Sequence, residues 1–142
     1  MELHQFRNTI REWFREQVAL NTSLASLDLV VTNESSDLGV EQLWLRQTMQ
    51  IGGSSVVGVG AGTKRHRRTG RVFIEIFGPK AAGEGDVSEL ASQVETIWRN
   101  AMRAENSPAE LIRISDPYSF ERTEPDRYCQ VVSVPLEQDF FA

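Results

Sequence analysis

Apolar residues recur at three- and four-residue steps near the start of the chain: Leu3, Phe6, Ile10, Trp13, Phe14 and Val18 share one helical stripe. Arg7, Arg11 and Arg15, with Glu12 and Glu16, fill the opposite side, so the spacing predicts an amphipathic helix over residues 2–20 with its stripe facing a core. Asn21-Thr22-Ser23 ends the pattern with side chains that compete for local hydrogen bonds. The period then changes to that of a strand. Leu27–Val31 predicts a short strand, followed by a polar loop from Asn33 to Asp37. Between Glu41 and Ile51, Leu43, Leu45, Met49 and Ile51 share one face of an extended segment, and Gln42, Arg46, Thr48 and Gln50, with Trp44, share the other. Gly52-Gly53-Ser54-Ser55 reads as a turn or flexible link. Arg71–Phe77 is β-branched and aromatic on both faces, and a β-hairpin is the simplest way to join it to the preceding run.

Gly78-Pro79 closes that strand, because proline cannot donate to a ladder, and Gly83-Glu84-Gly85 forms a loop. A second helix is predicted from Asp86, with Glu89 at capping-box spacing. Val87, Leu90, Ala91, Val94, Ile97, Trp98, Ala101 and Met102 hold its register. Arg99 and Arg103 suit the negative end of its dipole, and Ser107-Pro108 stops it. Leu111–Ile114 is a short strand, Asp116-Pro117 and Glu124-Pro125-Asp126 bracket a polar connection, and Tyr128–Leu136 is the last strand, ending near Pro135. The order α-β-β-β-α-β-β describes one α+β domain over 1–142, with two amphipathic helices on a largely antiparallel sheet. Phe6, Ile10, Trp13 and Phe14 are expected to meet Leu90, Val94, Ile97 and Trp98 over its inner face.

At 142 residues and 40% hydrophobic, the chain is too apolar to stay disordered and long enough to own a core. No apolar run approaches the ~20 residues of a membrane span, and the first residues lack the pattern of a secretory signal. Cys129 stands alone, which excludes an intramolecular disulfide and favours a reducing compartment. Charge location changes the picture more than its sum of −5. Lys64, Arg65, Arg67, Arg68 and Arg71 place five cations in eight residues, whereas residues 72–142 carry 13 acids and 6 bases. A compact basic spike at a hairpin tip or rim, on an acidic chain, is expected to be mobile until it meets counter-charge.

Candidate chemistry adds little. Gly58-Val59-Gly60-Ala61-Gly62 lacks the spacing of a dinucleotide fingerprint and leads into a strand, and Gly62-Thr63-Lys64 breaks the phosphate-loop pattern. Arg68-Thr69-Gly70-Arg71 has a faint likeness to an acyl-CoA grip but precedes a strand, not a helix. His4 and His66 have no metal-ligand spacing, and Asp116, Glu121, Glu124 and Asp126 lack that of a calcium loop. No nucleophile lies in a catalytic context. Neither an enzyme nor a cofactor is expected.

The segment Gly70–Pro79, the loop Gly83-Glu84-Gly85, the helix start Asp86-Val87-Ser88-Glu89-Leu90-Ala91 and the closing Tyr128–Leu136, behind an N-terminal helix, carry a resemblance. Together they are similar to the tail terminator proteins of long-tailed phages. The resemblance implies a structural virion protein that assembles in the host cytoplasm and resides at the tail or neck. It implies a ring, typically a hexamer, that caps the tail tube, stops its polymerisation and offers a docking face to the head-side connector or stopper protein. A sheath protein is a further partner if the tail is contractile; no membrane is involved. Lys64, Arg65, Arg67, Arg68 and Arg71 are no family motif. They are the candidate interface or lumen contact, facing acids of a neighbour or, without sequence specificity, passing DNA. The alternative is a small nucleic-acid-binding module using Lys64 to Arg71, although no aromatic is interleaved there for base stacking.

Overall fold

The computed structural model describes residues 3–31, 42–59, 62–80, 85–101 and 112–141. The expected loops at Asn33–Asp37 and Gly83-Glu84, the pair Gly60-Ala61, and Met102, Arg103, Ser107-Pro108 and Leu111 lie outside them. Helix α1 spans Leu3–Leu20 and buries Phe6, Ile10, Trp13, Phe14 and Val18. Leu3, expected on the same stripe, is exposed at the helix end. The helix stops where Asn21 Oδ1 accepts hydrogen bonds from the amides of Ser23 and Leu24 at 3.0 and 3.1 Å. That Asx turn satisfies local donors in a non-helical geometry and drops Leu24 into the core.

Strand β1 (Asp28–Val31) runs parallel to the start of β2 (Trp44–Val59), which forms a long antiparallel hairpin with β3 (Lys64–Pro79). Helix α2 (Gly85–Ala101) follows, then β4 (Arg113–Ile114), β5 (Tyr118–Arg122) and β6 (Arg127–Phe141). The sheet order is β1-β2-β3-β6, with β4 and β5 both antiparallel to the far side of β6. The fold is α+β, with helices on one face of a largely antiparallel sheet.

Both helices cover the same face. The even-numbered Val72, Ile74 and Ile76 of β3 and Val132, Val134 and Leu136 of β6 point into a core with Phe6, Ile10, Phe14, Val94 and Trp98. Trp98 lies against Trp13 and Phe14, with ring centroids 4.8 and 5.4 Å away. The expected contact between the two stripes is therefore present, except that Ile97 is only half-buried at its margin. Burying each large side chain contributes about 1.5–3 kcal/mol. The odd-numbered Phe77 faces the other way, joining Val30, Trp44, Cys129 and Val131, with Phe73 packed alongside, in a smaller apolar cluster on the helix-free side. Double-sided burial explains why Val72–Phe77 shows no alternation.

Three expectations about where strands run and end fail. Gly52–Ser55 is not a turn; β2 passes through it with register shifts at Ile51/Ser54 and Val56/Gly58. Glycine in a strand marks such a bulge as readily as a turn. The polar connection after Asp116 contains β5, whose outward side chains made it look like loop. The last strand does not end near Pro135 but continues to Phe141. Pro135 O accepts from the Ser115 amide at 3.0 Å, so the missing N–H of Pro135 also faces the β4–β5 side. The outer strand breaks there into β4 and β5.

Candidate functional site

The basic spike is strand: Lys64 opens β3 at the rim of the hairpin, and the arginines run back along the strand from it. Lys64, Arg65, Arg67, Arg68 and Arg71 all lie in β3, between β2 and the distal end of β6. Strand alternation splits them. Arg65, Arg67 and Arg71 face the helix-free side, and Arg68 faces the helix side with its guanidinium carbon 4.6 Å from the Phe140 ring centroid. Arg68 also reaches Gln138 Oε1 at 2.9 Å.

The counter-charge is internal. Opposite Arg67, Asp139 accepts from Arg67 Nε at 3.0 Å, from Arg65 Nε at 2.9 Å and from Arg113 Nη2 at 3.0 Å. Glu137 adds an ion pair to Arg113 at 3.2 Å. One carboxylate thus links β3, β6 and β4. Hydrogen bonds from Arg67 and then Arg65 hold the Asp139 carboxyl well below the usual carboxylate range. Arg71 donates to Tyr118 Oη and Ser133 Oγ, both at 3.1 Å, and so reaches across β6 to β5. Lys64 is exposed and has no partner among the described residues.

A second ionic group on the same side was not singled out from the sequence. Glu75, 4% exposed, accepts from Arg46 Nε at 2.8 Å and Nη2 at 2.7 Å, and pairs with Arg122 at 2.5 Å. Burial pushes the Glu75 carboxyl up, but the hydrogen bonds from Arg46 and Arg122 outweigh it and leave it below the usual range. Arg127 lies over the Phe77 ring at 4.1 Å and pairs with Glu124 at 3.6 Å. The signal for this group was parity: Arg46 is directly opposite Glu75 on β2, as Arg67 is opposite Asp139 on β6. Register cannot be read before the hairpin is known.

The remaining candidates stay apart. His66 stacks on Phe140 at 5.2 Å, whereas His4 is exposed on α1. Cys129 is buried in the smaller apolar cluster, where burial pushes its thiol up to about 11. Asp116, Glu121 and Asp126 are exposed, and none has an ion-pair partner among the described residues. A groove of about 630 Å³ between the helices is lined by Trp13, Glu16, Glu89, Gln93 and Ile97. A smaller hollow of about 330 Å³ lies beside Lys80, Arg122, Arg127 and Cys129. Among the described residues, no three His, Cys, Asp or Glu side chains are grouped to hold a metal ion. What the arrangement offers is a rigid, ion-paired sheet surface.

No family model matches the chain, and no curated protein matches it. A solved structure shares its fold, with a TM-score of 0.72 over 99% of this chain and 97% of that one, at 14% identity. That protein's name is a bare identifier that gives neither activity nor partner. The likeness establishes the architecture.

Proposed function

We propose that this chain is a tail terminator: a structural subunit that closes into a ring, a hexamer by resemblance, and caps the tail tube of a long-tailed phage or tail-like particle. The ring stops tube polymerisation and presents its other side to the head-side connector or stopper. The observation that carries this reading is the ordered resemblance from the N-terminal helix through Gly70–Pro79 and Asp86–Ala91 to the closing strand. The fold is consistent with it, because a small sheet braced by ion pairs on its helix-free side is a stiff unit for repeated head-to-tail contacts. The nucleic-acid alternative needs cations free to meet phosphates, and Arg65 and Arg67 already share Asp139.

Deleting the gene from the particle that encodes it tests the reading. The expected result is tails of abnormal length, or tails that fail to join heads, restored by supplying the chain in trans. Normal, head-joined tails from a clean deletion overturn it.

A further inference from the structure

From Gln47 to Thr63 the sequence contains no charged residue, no histidine and no proline, in a chain that is 25% charged. Most of that neutral run, Thr48–Val59, is β2 beyond the point where β1 stops. β1 pairs with Trp44–Gln47 only, so Thr48–Val59 has one side on β3 and the other unpaired among the described residues. Val56 is 51% and Val57 40% exposed. Exposed edges are normally guarded by lysine, proline or inward charge, because unpaired N–H and C=O groups recruit another strand. This edge has bulges but none of those guards.

The opposite edge of the sheet has complementary properties. There β5 exposes Tyr118 by 50% and Phe120 by 41% beside Asp116 and Glu121, which lack described partners. On the β2 side, the neighbouring β3 brings the exposed Lys64, opposite Val59, to the same region, whereas Arg65 and Arg67 are already held by Asp139. One edge is neutral and apolar with the Lys64 cation behind it; the other is aromatic with acids that lack described partners. A contact between unlike edges of one molecule repeats from copy to copy, and it gives a ring when its rotation closes.

We infer that the distal edge of β2, around Ser54–Val57, docks on the β5 edge, around Tyr118–Phe120, of a second copy of this chain. The contact joins sheets head to tail. It rests on the ring reading and assigns that ring its subunit interface. Ser54 lies across Arg68 from Gln138, whereas Phe120 lies opposite Val131, so successive copies are offset along the strands by roughly 25 Å. Such a stagger tilts strands against the ring axis, as closure of a sheet requires.

The test uses the full chain in light-scattering chromatography and crosslinking with a short bis-maleimide. Cys129 is buried, its thiol raised to about 11, and does not compete for the reagent. Val57→Cys and Phe120→Cys proteins, each alone, should give no crosslinked dimer, whereas their mixture should. The pair Val56→Lys with Val57→Lys should convert rings to monomers with unchanged circular dichroism. Crosslinking of Val57→Cys with itself would show like edges meeting and overturn the inference. A lysine variant that still forms rings overturns it while leaving the ring reading standing. A wild-type chain that stays monomeric at every concentration removes both. If the lysine variant misfolds, the crosslinking mixture alone decides.

Discussion

Glu75 is held by two arginines that keep partial access to water, with side chains 35% and 40% exposed. Glu75→Ala should cost about 2–3 kcal/mol in urea unfolding, less than the loss from a fully buried pair, because Arg46 and Arg122 can rehydrate. The carboxyls of Glu75 and Asp139 both lie below their ordinary range in the folded chain. A depressed folded-state value means stability that is present above the unfolded carboxylate range and lost as pH falls through the folded value. The thermal midpoint should therefore drop on acidification below about pH 4, and Glu75→Gln should flatten part of that drop. In the main core, Trp98 is fully buried between Trp13 and Phe14, so Trp98→Ala should cost about 3–5 kcal/mol. Ile97→Ala, one position around the helix and half-buried, should lose less than about 2 kcal/mol. Equal losses at the two positions in denaturant titrations would contradict this assignment of helix faces. Gly78 is tighter still: a Cβ there would meet Val87 Cγ2 at 2.5 Å and Leu43 Cδ2 at 2.9 Å. Gly78→Ala should destabilise by about 1–3 kcal/mol through displacement of α2 from the end of β3.

At the scale of elements, the two helices were legible because each buries one stripe and solvates the other, and their stops are chemical: the Asn21 turn after α1 is an example. Val72–Phe77 was legible as strand from its β-branched and aromatic content. What could not be read were features that depend on a partner strand. The Lys64–Arg71 segment looks like a solvated loop until Asp139 is placed opposite Arg67, and Glu137 and Asp139 lie in a part of β6 that Pro135 seemed to close off. The same dependence hid β5, because Tyr118, Phe120 and Arg122 point away from the core. Asp139 ties three strands, so its removal should loosen that end of the sheet selectively. In Asp139→Asn, amide exchange should accelerate across Lys64–Arg68 and Gln138–Phe141 while Ile74, Ile76 and Val132 keep their protection. Uniform acceleration would mean that the carboxylate supports the whole fold and not that end of it.

For the whole molecule, the internal pairing of the arginines separates folding from assembly within a single cluster. Arg65 and Arg67 share Asp139, so replacing both by glutamine acts first on the sheet: the melting temperature should fall, and any effect on a ring is secondary to that. Lys64 differs. It begins β3 next to the unguarded end of β2, is exposed, and has no described partner, so Lys64→Gln should leave the melting temperature unchanged. If the chain closes into a ring through that end of the sheet, the loss of this cation should still weaken association, because the acids available across the contact then meet one charge fewer. An exposed pair contributes only about 0–1 kcal/mol, but a ring repeats each contact at every subunit, so a small loss per interface becomes visible in the dissociation of the whole. The effect should be largest at low ionic strength and fade as the Debye length shrinks towards ~3 Å at 1 M salt. Light scattering of wild-type and Lys64→Gln chains across a salt series measures it. Identical ring-to-monomer profiles at low salt would remove Lys64 from the contact, and a lowered melting temperature would place it among the sheet's internal braces instead.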